Sequence, residues 1–253
     1  MSAGCSSGHQ ESWLERNSRL FVQDPRLFLK KLNTWFKPMR ADYRRRWNRG
    51  LRHWMIRYQE ELVFTRVTWM GTIARKMVLD AWVYQQILFE VKPDFVIEIG
   101  NAEGGSTKFL ANMLDLLGHG EVIAIDIDHS LFQVSHPRIH LITGDSLAPE
   151  TLDRAAKIAV GGRGLVIHDG DHSRGHVLGD LRAYAPFVAP GSYFIVEDTI
   201  MDLFRAGDGL GTVDGPLEAV EQFVNEDSRF QIDAGREFFV LTYNPRGYLK
   251  RVV

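Results

Sequence analysis

Apolar and polar positions along this chain follow two different rhythms, and the change falls near residue 94. Beyond it, short apolar runs are separated by longer stretches with helical spacing. The runs at 95–99, 122–125, 139–142, 165–167 and 193–196 read as strands. Apolar runs of this length beside turn residues are typical of strands buried on both faces of a parallel sheet. Between them, 106–117, 175–188 and 216–224 read as helices; Gly118 and Gly120 stop the first, and Pro190-Gly191 close the second. A late strand is expected at 237–243. The alternation predicts an α/β fold, with a mostly parallel central sheet and helices on both faces.

Before residue 94 the pattern differs. Residues 1–12 are small and polar and read as a disordered tail. Residues 13–77 read as a helical N-terminal arm or lid, ahead of an α/β domain over 78–253. A helix at 78–90 is expected to pack Trp82, Ile87 and Leu88 on the core. Residues 64–71 (FTRVTWMG) link it to the arm, and Met70-Gly71 is a candidate lid over a cofactor. The arm is basic, with Lys30, Lys31, Lys37, Arg40, Arg44, Arg45, Arg46, Arg49, Arg52 and Arg57 interleaved with Trp35, Trp47 and Trp54. This is either a polyanion patch or a solvated face whose tryptophans pack on the core or on another subunit. We take the second reading, because a nucleic-acid domain usually brings a recognisable motif. A homo-oligomer is then the expected assembly.

Composition narrows the classes. A formal net charge of −2 argues against a general nucleic-acid binder. No apolar stretch approaches the ~20 residues of a membrane span. One cysteine, Cys5, allows no internal disulfide and fits a reducing cytosol, so a cytoplasmic location is expected. No charged leader or apolar segment precedes Ala3-Gly4-Cys5, which is therefore not read as a lipoprotein signal.

The candidate chemistry sits at the carboxyl ends of the expected strands, where open α/β sheets bind ligands. After the first strand, Glu98 is followed by Gly100, Asn101, Gly104, Gly105 and Ser106. Glycines permit a tight turn, and the following helix N-terminus offers N–H donors. Asp126 closes the second strand, where an acid can accept ribose hydroxyls. Together these point to a nucleoside-containing cofactor. A dinucleotide site wants a glycine where Ala102 stands. The spacing looks instead like the first motif of S-adenosylmethionine-dependent methyltransferases. Asp145-Ser146, after the third strand, would lie at the adenine end, although Asp145 could equally cap the turn before Pro149. Asp169, Glu197 and Asp198 end the fourth and fifth strands; as hard oxygen donors they suit Mg²⁺ or another divalent cation. His172, three residues past Asp169, is a candidate base near that metal.

The run from about residue 63 to the C-terminus resembles the bacterial rhamnosyl O-methyltransferase and cephalosporin hydroxylase family. The matching pieces are WVYQQIL, VIEIGNAEGGS, DGDHSRGHVLGDLRAYAPFVAPGSYFIVED and RGYLKR. The resemblance implies a Rossmann-like class I methyltransferase fold, S-adenosylmethionine, and Mg²⁺ on Asp169, Glu197 and Asp198. A similar metal layout in catechol and macrolide-sugar O-methyltransferases puts a base three residues past the first ligand, the place of His172. In some sugar methyltransferases the base stands two residues past it, which keeps Asp171 in contention.

The expected reaction is O-methylation of a sugar hydroxyl on a small-molecule glycoside or nucleotide sugar. The metal would chelate two neighbouring hydroxyls, and His172, with an ordinary imidazole pKa, would take the proton. His176 reads as structural. A nicotinamide-dependent sugar oxidoreductase is disfavoured by Ala102. A hydroxylase would need a redox-metal ligand set that is not apparent. A non-catalytic cofactor-binding partner would not require the acids and His172. The glycine-rich stretch at 204–216 reads as a mobile loop beside the fifth strand.

Overall fold

The computed structural model describes residues 25–26, 50–160, 162–204 and 214–253. The 1–12 tail, most of the basic arm and most of the 204–216 loop lie outside the described residues. The chain divides into two compact units, Met1–Leu51 and Arg52–Val253. Residues 52–77, grouped with the arm on sequence, belong to the larger unit.

Helix α1 (Leu51–Tyr58) runs into a π-helical turn, Gln59–Val63. A two-stranded hairpin follows, β1 (Thr68–Trp69) and β2 (Thr72–Ile73). Met70 and Gly71 form its tip with φ values of 45° and 85°, the left-handed pair that a tight hairpin turn requires. Helix α2 (Val78–Val91) buries Val83, Tyr84, Ile87 and Leu88. Its Trp82 was expected on the core but is 60% exposed. Trp82 lies almost half a helical turn away from Tyr84, and the sheet can cover only one face.

The rhythm beyond residue 94 gives β3 (Phe95–Ile99), α3 (Gly105–Leu117), β4 (Glu121–Asp126), β5 (Ile139–Thr143), α4 (Pro149–Ile158), β6 (Gly164–His168), α5 (Arg174–Tyr184), β7 (Tyr193–Val196), α6 (Pro216–Glu226), β8 (Phe230–Ile232) and β9 (Tyr248–Arg251). Helix α5 ends before the expected residue 188. Pro186 disfavours continued α-helix, and the chain tightens into a 3₁₀ turn, Ala185–Phe187.

The seven strands β3–β9 form one sheet in the order β5-β4-β3-β6-β7-β9-β8. The first five are parallel; β9 is antiparallel to β7, and β8 to β9. Every residue of β3 and β6 is buried, as two-sided coverage demands. Ile97, Ile99, Ile123 and Val166 face one apolar layer with α5 and α6. Val96, Val122, Leu165 and Ile167 face the other with α2 and α3.

The expected strand at 237–243 does not form. Val240 has φ 67°, outside the extended region, and the edge of β7 is taken by β9. Residues 242–244 instead close on Asp80 of α2. Its carboxylate accepts from Thr242 Oγ1 at 2.6 Å, Tyr243 N at 2.9 Å and Tyr248 Oη at 2.9 Å.

Candidate active site

Strand order reverses between β3 and β6, with β4 following β3 on one side and β7 following β6 on the other. At such a switch point the loops diverge and leave a crevice at the carboxyl ends. A cleft of about 850 Å³ opens there, walled by the turns that follow β3, β4, β5, β6 and β7.

The turn after β3 is held from below. Gly100 has φ 87°, and a Cβ on it would overlap the carbonyl of Asp169. Glu98 is buried and does not face the cleft; its Oε2 accepts from Asn101 Nδ2 at 2.9 Å and from Thr107 Oγ1. It braces the turn from behind. Asp126 lines the cleft, and its Oδ2 accepts the backbone N–H groups of Asn101 (2.7 Å) and Ala102 (3.1 Å). Gly104 and Ser106 open α3, and Ser106 reaches the cleft wall. Asp145 and Ser146 stand at the end of β5. The Ser146 hydroxyl lies 3.0 Å from His176 Nε2, and its carbonyl accepts from Tyr184 Oη at 2.8 Å. Asp145 Oδ1 accepts from Leu147 N at 2.9 Å, so the turn-cap role is realised while the residue still lines the cleft.

Met70 and Gly71 do not line the cleft. The hairpin instead brings Ile73, Ala74 and Arg75 over it. Gly105 permits this approach, since a Cβ there would overlap the Ile73 carbonyl. Arg75 makes a two-pronged pair with Glu103, Nε to Oε2 at 2.8 Å and Nη2 to Oε1. That pair bridges the hairpin and the glycine turn.

The acids at the ends of β6 and β7 gather, with one change of membership. Asp169, His172 and Asp198 each present a ligand atom within 4.8 Å of the others. His172 Nε2 lies 3.4 Å from Asp198 Oδ2 and 3.6 Å from Asp169 Oδ1, a shared ion pair rather than one directed hydrogen bond. Burial opposes charge on His172, but the nearby carboxylate of Asp198, with Asp169 behind, outweighs it and pushes the imidazole up to about 9. The ordinary pKa expected from sequence is thereby corrected. Asp171 lies low in the range for the opposite reason: the backbone N–H and hydroxyl of Ser173 stabilise its carboxylate. A weak base results.

Glu197, the third expected ligand, is buried and turned to Lys76, whose Nζ is 2.8 Å from Oε1 and also contacts Asp169 Oδ2. Burial and the charge of Asp169 push Glu197 well up; Lys76 pulls it back. Burial likewise opposes the Lys76 ammonium, but Asp169, Glu197 and Glu98 hold it above the usual lysine range. Lys76 and Arg75 were missed on sequence. Single basic residues in a hairpin link carry no motif, and only the fold brings Lys76 to Asp169, 93 residues on, and Arg75 to Glu103, 28 residues on.

Asp198 has φ 56°, a left-handed conformation. Its N–H donates to Asn244 Oδ1 at 3.0 Å, while Asn244 Nδ2 donates to Tyr84 Oη at 2.7 Å. The loop closed by Asp80 therefore fixes the backbone that carries Asp198. Beneath the site, His168 and Asp180 are wholly buried and lie 3.1 Å apart, with His176 at 3.5 Å from the same carboxylate. His176 is thus tied to both Ser146 and Asp180, in keeping with a structural role.

The family model "Rhamnosyl O-methyltransferase/CmcI" matches residues 61–252. A rhamnosyl O-methyltransferase of Mycobacterium leprae is 34% identical over 201 residues, covering 77% of this chain and 87% of that protein. One from Mycobacterium tuberculosis (strain H37Rv) is 33% identical over 202 residues, covering 77% and 82%. Among solved structures, a CmcI structure described with Mg and SAM aligns with a TM-score of 0.60 at 21% identity, covering 86% of each chain, a likeness of fold. The matched span holds the whole sheet and every residue of the cleft but Gln59. On these grounds the chain belongs to the rhamnosyl O-methyltransferase/CmcI family.

Proposed function

We propose that this chain transfers a methyl group from S-adenosylmethionine to a sugar hydroxyl, with His172 as the base and Asp169 and Asp198 as holders of a divalent cation. By family it is an S-adenosylmethionine-dependent O-methyltransferase. The observation that carries the reading is the convergence of Asp169, His172 and Asp198 at the switch-point cleft, beside the glycine turn. Carboxylate oxygens suit Mg²⁺, which leaves the imidazole for the proton.

A divalent ion held there would supply Lewis acidity to two neighbouring acceptor hydroxyls, lowering the pKa of the one that reacts. Asp169 and Asp198, once engaged, would no longer stabilise charge on His172, so its Nε2 becomes able to accept the hydroxyl proton. In this reading Asp126 and the N–H groups opening α3 would receive the nucleoside, and Asp145-Ser146 its base; all of them except the α3 N–H groups line the cleft. Arg75, paired with Glu103, ties the hairpin to the glycine turn beside the cleft. Much of the acceleration would come from holding oxygen and methyl in line.

The acceptor class is a glycoside or nucleotide sugar, consistent with relatives named for rhamnosyl and mycinamicin substrates. The assembly we expect is a homo-oligomer; light scattering with and without residues 1–50 tests that part. For the chemistry, calorimetric titration with S-adenosylmethionine, S-adenosylhomocysteine and NADH comes first. Turnover of rhamnose-bearing acceptors with Mg²⁺, and then with chelator, follows. Binding of the sulfur nucleosides but not NADH, with turnover abolished by chelator, is expected. Full turnover in chelator would refute the metal role.

A further inference from the structure

Lys76 stands at the proposed metal carboxylates, and no step above uses it. It enters from the link between β2 and α2 and is 7% exposed. Its ammonium contacts Asp169 Oδ2 and lies 2.8 Å from Glu197 Oε1. It therefore sits between two of the three carboxylates that close β6 and β7. A divalent ion using those same oxygens and the ammonium cannot both be accommodated, because like charges at such separations repel strongly in a dry site.

A second observation shows where the ammonium can go. Glu98 is wholly buried; its Oε2 is occupied by Asn101 and Thr107, the Ser106 hydroxyl lies beside the carboxylate, and Oε1 has no hydrogen-bond partner within normal geometry among the described residues. An unpaired buried carboxylate oxygen is costly, and such groups are rare without a purpose. Lys76, Glu98 and Glu197 all line one side cavity of about 340 Å³ between the hairpin, α2 and α3. The cavity gives the lysine stem room to turn. Glu98 is close enough for its charge to add to those of Asp169 and Glu197 on Lys76.

We propose that Lys76 is a movable internal cation: it holds Asp169 and Glu197 in the absence of a divalent ion, and passes to Glu98 Oε1 when the ion takes those carboxylates. This rests on the metal reading given under Proposed function. It makes Lys76 a positioning residue and returns Glu197 to the ligand set as the ion arrives. It also gives metal occupancy a route to the cofactor site, since Glu98 braces Asn101 and Thr107 at the glycine turn.

The test is calorimetric titration of the full chain with MnCl₂, alone and with S-adenosylhomocysteine. The proteins are wild type, Lys76→Met, Glu98→Gln and the double variant. Lys76→Met should bind Mn²⁺ about tenfold tighter, since no internal cation must leave. Glu98→Gln should weaken Mn²⁺ about tenfold in the wild-type background and have no effect in the Lys76→Met background, the coupling that a double-mutant cycle isolates. Equal Mn²⁺ affinity in wild type and Lys76→Met would overturn the proposal, as would a Glu98→Gln effect of equal size in both backgrounds. If all four proteins fail to bind Mn²⁺ but still bind S-adenosylhomocysteine, the metal reading falls and the proposal with it. Lys76→Gln, which keeps a polar tip without charge, serves if the Met variant does not fold. Wild type alone gives a further readout: Mn²⁺ should change S-adenosylhomocysteine affinity, and should do so less in Glu98→Gln.

Discussion

His172 and Asp171 are adjacent in sequence, and either could serve as the base by spacing, yet their surroundings differ. Asp171 has its oxygen occupied by the Ser173 N–H at 2.7 Å, which stabilises the carboxylate and lowers its basicity. His172 faces two acids across an ion pair. His172→Gln should therefore lower kcat by about 10²–10⁴-fold, the usual worth of a general base, while S-adenosylhomocysteine affinity stays within twofold. Asp171→Asn should change kcat by a few-fold at most. Comparable losses in both variants would refute the assignment. Glu98 shows what sequence alone misjudges: an acid two residues before a glycine reads as a cofactor contact, but strand alternation puts its side chain on the α2/α3 face, away from the cleft.

At the scale of elements, the glycine turn and the loop at 242–244 do the positioning. Gly100 needs its positive φ and lacks room for a Cβ against Asp169. Gly100→Ala should cost about 2–4 kcal/mol of stability, from left-handed strain plus overlap, and should weaken S-adenosylhomocysteine as the turn shifts. Denaturant melts and calorimetry would check both. The loop hangs on Asp80, whose burial outweighs its three hydrogen bonds and pushes the carboxyl from 3.8 up to about 6. In the unfolded chain the same group ionises near 3.8, so the fold binds this proton more tightly. Its contribution to stability is then full below pH ~3.8 and lost as pH rises through ~6, to a total of about 3 kcal/mol. The stability difference between wild type and Asp80→Asn should accordingly fall by up to that amount between pH 4 and 7. A pH-independent difference would refute a raised Asp80. The missing strand at 237–243 belongs at this scale too. Its apolar run, Phe238 to Leu241, suits a strand, but the edge of β7 is taken by β9, and residues 242–244 are engaged by Asp80.

For the whole molecule, ligand linkage is the direct test of a single cofactor-and-metal cleft. S-adenosylhomocysteine with Mg²⁺, each at about 100 times its Kd, should add up to about 2.7 kcal/mol per ligand and raise Tm by roughly 5–10 °C each. Chelator should remove only the metal's share. The sequence by itself determined the parallel sheet and the family, and it pointed to a candidate site at the sheet's carboxyl edge. Those rest on local signals: short apolar runs, glycines at tight turns, acids at strand ends, and a long specific motif from 169 to 198. Tertiary structure alone decided that Asp169 and Asp198 meet the imidazole while Asp169 and Glu197 meet a lysine. It also decided that 73–75 rather than Met70-Gly71 covers the cleft, and that Trp82 faces outward while Glu98 braces the turn. The physical reason is that these depend on distances between groups far apart in sequence. Such distances are set by strand order, helix rotation and the cost of burying charge, none of which is written in any one stretch of residues.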